Sequence, residues 1–323
     1  MDNEQLIQLI QEINRLRREK KAIIMAHYYQ TADIQSIADF IGDSLALAQK
    51  AKTTDAEIIV LCGVHFMGET AKIICPDKKV LVPDIHAGCS LADSCKAEDL
   101  EKFKEEHPGY TVISYVNTTA EVKALTDVCV TSSNARKIVE TFPKDAKLIF
   151  GPDRNLGNYI NSVTGRQMLL WNGACHVHER FSVEAIVKLK KQYPQAKVLA
   201  HPECKAPVLA LADVVGSTAA LLEYAKKSDF NEFLVATESG ILFEMERACP
   251  GKKFIPVPPE MSEMFDKEGN MIPCACNECN YMRMNTMQKV YDCLKNEKNE
   301  IQVDSEIARK AIGCIDRMLE LSK

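Results

Sequence analysis

The sequence has no excess of positive charge, no long apolar run, and no basic amino-terminal region followed by an apolar stretch. Its formal net charge is −5, so nucleic acid, whose phosphates require a basic surface, is excluded as the main partner. The one basic cluster, Arg15-Leu16-Arg17-Arg18-Glu19-Lys20-Lys21, shares its segment with an apolar stripe of Leu6, Leu9, Ile10, Ile13 and Leu16. That pattern is the solvated face of an amphipathic helix. No uncharged apolar run approaches the roughly 20 residues that a membrane span requires, and no secretory leader is visible. A cytoplasmic protein without membrane contact is expected, and in that compartment a disulfide framework is not.

What the sequence does have is thirteen cysteines in 323 residues. A chain of this length buries roughly 75% of the surface its unfolded form exposes, so it needs no covalent staples. An odd count in a reducing compartment points to metal binding, catalysis or plain burial. Cys62, Cys75, Cys129, Cys293 and Cys314 sit in apolar segments and are expected in the core.

The chain repeats itself three times. Each copy runs from an apolar strand through a polar turn and a short helix to a small-residue turn bearing a hydroxyl, then into another helix. The copies begin at Ala22-Ile23-Ile24-Met25-Ala26-His27, at Thr111-Val112-Ile113-Ser114-Tyr115 and at Val198-Leu199-Ala200-His201. His27, Tyr115 and His201 are spaced by 88 and 86 residues, and so are Tyr29, Asn117 and Glu203, and Ser44, Ser132 and Thr218. A second apolar strand follows in each copy (Glu57 to Leu61, Lys147 to Phe150, Glu232 to Val235) and ends in polar or glycine residues. Strands alternating with helices imply parallel sheets covered on both faces, with ligand residues just beyond the strands' carboxyl ends. The expected fold is therefore α/β, three pseudo-symmetric αβα sandwich domains around one central site. The expected boundaries are 1–88 with the carboxy-terminal helical segment 285–323, then 89–174, then 175–284.

Three cysteines recur near the repeat junctions: Cys89, Cys175 and Cys279. The first two are 86 residues apart; the third comes later because a Pro- and Glu-rich insertion, Pro256 to Ile272, intervenes. Three thiolates on an axis leave one iron of a cubane cluster open, and an open iron is a Lewis acid. A zinc site built from Cys274, Cys276, Cys279 and a histidine fits the spacing equally well.

Gly88-Cys89-Ser90-Leu91-Ala92-Asp93, Gly173-Ala174-Cys175-His176-Val177-His178-Glu179 and Cys279-Asn280-Tyr281-Met282-Arg283-Met284-Asn285-Thr286 resemble the three cluster motifs of the quinolinate synthase family. Ala26-His27-Tyr28-Tyr29-Gln30, Gly42-Asp43-Ser44, Tyr115-Val116-Asn117-Thr118, Thr131-Ser132-Ser133-Asn134-Ala135 and His201-Pro202-Glu203-Cys204 are similar to it too, in family order from residue 22 to 290. The resemblance implies a 4Fe–4S cluster held by Cys89, Cys175 and Cys279 at the meeting point of the three domains. Where many members have Cys-x-x-Cys-x-x-Cys, this chain has Cys274-Ala275-Cys276-Asn277-Glu278-Cys279. The cysteine before the Tyr-Met segment aligns as the ligand, with Cys276 as runner-up.

The reaction implied by the resemblance condenses iminoaspartate with dihydroxyacetone phosphate, losing phosphate and water to give quinolinate for NAD biosynthesis. It also implies functional coupling to an aspartate-oxidising enzyme. Ser44, Ser132 and Thr218 are expected at helix starts, where hydroxyls and free N–H groups bind anions. His27 and His201 are expected to bind anions as imidazolium or to shuttle protons. Glu203 is the expected principal acid/base, with Tyr29 as its partner. Tyr115 and Asn117 would position substrate, and His178 would donate to cluster or substrate. Iminoaspartate contacts fall, by resemblance, on His27, Ser44, Tyr115, Asn117, Ser132, His201, Glu203 and Thr218. A hydro-lyase with an open iron and an iron–sulfur sensor are the alternatives.

Overall fold

Strands sandwiched between helices are apolar on both faces, and the longest strands here meet that condition. In a computed structural model describing residues 3–259 and 277–323, β1 (Ala22–His27) is buried at every residue after Ala22, and β3 (Ile58–Cys62) throughout. They are flanked in the sheet by β2 (Phe40–Gly42) beside β1 and β4 (Lys79–Leu81) beside β3. The second unit holds β5 (Thr111–Tyr115), β6 (Val128–Val130), β7 (Leu148–Gly151) and β8 (Leu169–Leu170). The third holds β9 (Lys197–Ala200), β10 (Val214–Val215), β11 (Glu232–Ala236) and β12 (Lys253–Pro256).

The three sheets share one topology, β2-β1-β3-β4, β6-β5-β7-β8 and β10-β9-β11-β12, and every strand pair is parallel. Side chains alternate across each sheet, as the period of 2 requires. Met25, Ile59 and Leu61 enter one core; Ile24, Ala26, Val60 and Cys62 enter the core on the opposite face. Val198, Ala200 and Leu234 are likewise separated from Leu199, Phe233 and Val235. The threefold α/β architecture is thus as expected. The two outer strands of each sheet were not expected from the sequence; at two to four residues they are too short to show a period.

The carboxy-terminal segment is divided between units. Its helix Met287–Asn296 packs on the helix Asn3–Glu19 and on β3, whereas Ser305–Leu321 packs on Ala120–Ala124 and β6 of the second unit and on His65–Ile74 of the first. The insertion lies outside the described residues from 260 onward, as do Cys274 and Cys276. No described helix is long and apolar enough to cross a membrane.

Candidate active site

The repeat brings its polar strand ends to one place. His27 closes β1 and His201 follows β9. In both units the backbone N–H two residues on donates back to the ring: Tyr29 N–H to His27 Nδ1 at 3.1 Å, Glu203 N–H to His201 Nδ1 at 3.3 Å. With Nδ1 accepting, the neutral ring carries its proton on Nε2. Burial lowers the His27 pKa to about 4 and that of His201 to about 3. In the free protein near neutral pH both are therefore N–H donors and not imidazolium.

Glu203 is 3% exposed, and burial alone would raise its pKa. Hydrogen bonds from His178 and the Tyr115 hydroxyl oppose that and hold it below the usual carboxylate range. Tyr115 Oη donates to Glu203 Oε1 at 2.5 Å, and His178 Nδ1 lies 2.8 Å from Glu203 Oε2. From there the polar contacts continue. His178 Nε2 meets Thr237 Oγ1 at 3.0 Å, Thr237 Oγ1 meets Tyr29 Oη at 2.9 Å, and Tyr29 Oη meets Thr218 Oγ1 at 2.8 Å. One consistent set of protons runs from Thr218 through Tyr29 and Thr237 to His178 and on to Glu203, with Tyr29 and Thr237 each donating once and accepting once. Glu203 and Tyr29 are therefore joined through two other residues and not directly. Burial raises both tyrosines well above the usual phenol range, so both hold their protons.

The hydroxyls differ in detail from expectation. Ser44 and Thr218 are the first residues inside their helices; the caps are Asp43, accepting from Ala46 N–H at 3.0 Å, and Ser217, accepting from Ala220 N–H at 3.2 Å. Ser132 precedes the helix Ala135–Glu140 by three residues, with Asn134 in the cap position. None of the three is spent on capping. Two of them reach across unit boundaries instead, Thr218 to Tyr29 and Ser132 Oγ to His201 Nε2 at 3.2 Å, while Ser44 lines the cavity.

Cys89 directly precedes the short helix Ser90–Ser94, Cys279 precedes Asn280–Arg283, and Cys175 lies three residues before the turn His178–Arg180. Of the eleven cysteines described, these three alone are partly exposed; the other eight, including all five expected in the core, are buried. All three line one cavity with His27, Tyr29, Ser44, Tyr115, Asn117, Ser132, His178, His201, Glu203 and Thr218. The structure thus brings every sequence-predicted site residue together. Burial pushes the Cys89 thiol up to about 12, Cys279 to about 11 and Cys175 well above its usual range, with neighbouring backbone N–H groups opposing. Such thiols ionise against a positive centre. Among the described residues, the three metal-type donors within 4.8 Å of one another are Cys175, His178 and Glu203; Cys89 and Cys279 stand off from that group. Asn117 Oδ1 is buried without a hydrogen-bond partner, an acceptor left for a ligand.

Sequence reasoning missed several residues here. Thr237, Asp153 and Glu238 follow β11 and β7, where the polar strand ends had been noted without a role. Phe66 and Met67, which line an apolar wall of the cavity, carry no signal beyond hydrophobicity. Gly240 is required by a close approach, since a Cβ there would lie 2.8 Å from Tyr29 Cα.

A sequence model of the family described as quinolinate synthetase A protein matches residues 11–320. Among curated proteins, the chain is 52% identical over 317 residues to a quinolinate synthase of Chloroherpeton thalassium, covering 98% of this chain and 95% of that one. It is 52% identical over 314 residues to quinolinate synthases of Microcystis aeruginosa and of a Synechocystis species, covering 97% of this chain and 95% of each relative.

Proposed function

This chain belongs to the quinolinate synthetase A family, and from that membership and its cavity we propose that it makes quinolinate from iminoaspartate and dihydroxyacetone phosphate, releasing phosphate and water, as a step of NAD biosynthesis. The observation that carries the reading is that Cys89, Cys175 and Cys279, one from each repeat junction, are the partly exposed cysteines among those described and share a cavity with Glu203. Three thiolates arriving on separate loops suit separate irons of a 4Fe–4S cluster. When bound with three thiolates, such a cluster supplies one iron with an open position as a Lewis acid.

The remaining residues bind substrate and move protons. His27 and His201, as Nε2–H donors, and the hydroxyls of Ser44, Ser132 and Thr218 suit the carboxylates of iminoaspartate, with Asn117 Oδ1 available to its imine or amine proton. Glu203, held as a carboxylate, is the general base, and Tyr115 orients it. The chain from Thr218 through Tyr29, Thr237 and His178 is oriented to deliver a proton toward Glu203, and Tyr29 keeps its phenol proton as part of it. Mixing the anaerobically reconstituted protein with both substrates and assaying quinolinate by chromatography and mass spectrometry tests the reading. A hydro-lyase would transform one substrate alone, and a sensor neither.

Two smaller effects follow from the contacts. Thr237→Val keeps the shape and removes the hydroxyl between His178 and Tyr29. Turnover is expected to fall about 10- to 100-fold, with iron content unchanged; parent-like turnover would remove Thr237 from the relay. Because Ser44, Ser132 and Thr218 do not cap helices, alanine at any of them is expected to spare the cap's contribution of about 0.5–2 kcal/mol. Affinity for an unreactive dicarboxylate should instead drop roughly 10- to 150-fold by calorimetric titration, the worth of a hydrogen bond to a charged group. Unchanged affinity in all three would contradict a convergent anion site.

A further inference from the structure

Two buried carboxylates without a role above occupy the same place in two repeats. Asp153 stands two residues past the end of β7 and Glu238 two residues past the end of β11, and both are fully buried at 0% exposure. Each accepts a hydrogen bond from the backbone N–H of a cavity cysteine: Cys175 N–H to Asp153 Oδ2 at 3.2 Å, Cys279 N–H to Glu238 Oε1 at 3.1 Å. The other oxygen is tied to the turn that leaves the strand, by Leu156 N–H to Asp153 Oδ1 at 2.8 Å and by Gly240 N–H to Glu238 Oε2 at 2.7 Å. Each carboxylate therefore bridges a strand-end turn and a cysteine loop.

The two bridges span 22 and 41 residues of chain and use acids of different length, yet they end on equivalent atoms. Arg283 adds a charge-assisted contact to Glu238 Oε1 at 3.0 Å. In the first repeat the corresponding residue is Val64, which has no carboxylate, and the loop toward Cys89 is tied to the strand-end turn by main chain, His65 N–H to Ala87 O at 2.7 Å. A buried carboxylate in that role fixes the loop's backbone, and through it the direction of the sulfur, without touching the metal.

We propose that Asp153 and Glu238 are repeat-related positioning residues of the cluster site, each holding the backbone of one ligand cysteine so that its sulfur is directed to the shared cavity. This rests on the reading that Cys175 and Cys279 are ligands.

The test is the rate at which a chelator strips iron from the anaerobically reconstituted protein, followed by bleaching of its visible absorption. Asp153→Asn and Glu238→Gln keep size, but an amide cannot accept at both ends. Asp213→Asn is the control, because Asp213 also accepts a backbone N–H, from Val198 at 2.8 Å, and does not line the cavity. Cluster loss is expected to be about tenfold faster in the first two variants, the worth of one hydrogen bond, and parent-like in the control. Melting of the cluster-free proteins and hydrogen exchange at the Cys175 amide are measured alongside. Faster exchange there without a matching fall in melting temperature separates positioning from general stability. A variant that folds but takes up no iron supports the inference equally. Cluster loss at the parent's rate, or loss that merely tracks melting temperature across all three variants, overturns it. If the parent itself takes up no iron, the cluster reading falls and this inference falls with it; a parent that loads beside variants that behave like it sinks the inference alone.

Discussion

Serine at Cys89, Cys175 or Cys279 is expected to abolish both the visible absorption of the anaerobically reconstituted protein and its quinolinate formation. The parent should carry about four irons per chain. These three side chains follow the fourth strands of the three sheets, β4, β8 and β12, and line the same cavity. Each replacement therefore leaves two thiolates, too few for a stable cluster. Folding should be little affected, because each site is partly exposed and the change from sulfur to oxygen is small. Cys62→Ser and Cys314→Ser are the controls: both are buried in the core, at 0% and 2% exposure, and neither should alter iron content in the folded fraction. A fully loaded cluster in Cys279→Ser would move the third ligand elsewhere, with Cys276 next in line.

Glu203→Gln is expected to lower turnover about 10²- to 10⁴-fold, the usual worth of a positioned acid or base, while iron uptake stays normal. Two contacts, at 2.5 Å from Tyr115 and 2.8 Å from His178, make the carboxylate irreplaceable. A carboxylate accepts from Tyr115 and His178 at once; a glutamine presents an NH₂ to one of them and interrupts the relay at its proton-accepting end. Single-turnover quinolinate formation with and without saturating substrate checks this. Turnover within threefold of the parent would reduce Glu203 to a binding residue.

Much of this was legible in the sequence because the molecule is built three times. A single histidine at a strand end carries little information, but His27, Tyr115 and His201 in one register mark a shared position, and the sheets with their common strand order show why. The cysteines could be sorted for the same reason: those at repeat junctions face the cavity, while Cys62, Cys75, Cys129, Cys293 and Cys314 are buried. What stayed hidden depends on distances between units. Nothing in the chain announces that Thr237 lies between His178 and Tyr29, contacts separated by 59 and 208 residues. The caps, Asp43 and Ser217, were not singled out, because in Gly42-Asp43-Ser44 and Gly216-Ser217-Thr218 two adjacent polar residues can fill the cap and sequence does not rank them. The protonation of His27 and His201 was hidden as well. It follows from burial and from the backbone N–H at Nδ1, neither of which composition reveals.

The central claim is that three repeat junctions each give one thiolate to a four-iron cluster and leave one iron free for substrate. The Mössbauer spectrum of protein reconstituted with ⁵⁷Fe, recorded with and without a dicarboxylate substrate analogue, tests it most directly. The account predicts about four irons per chain, one of them distinguishable from the other three and shifted when the analogue binds. Four equivalent irons that ignore the analogue, or a single iron per chain, would contradict it.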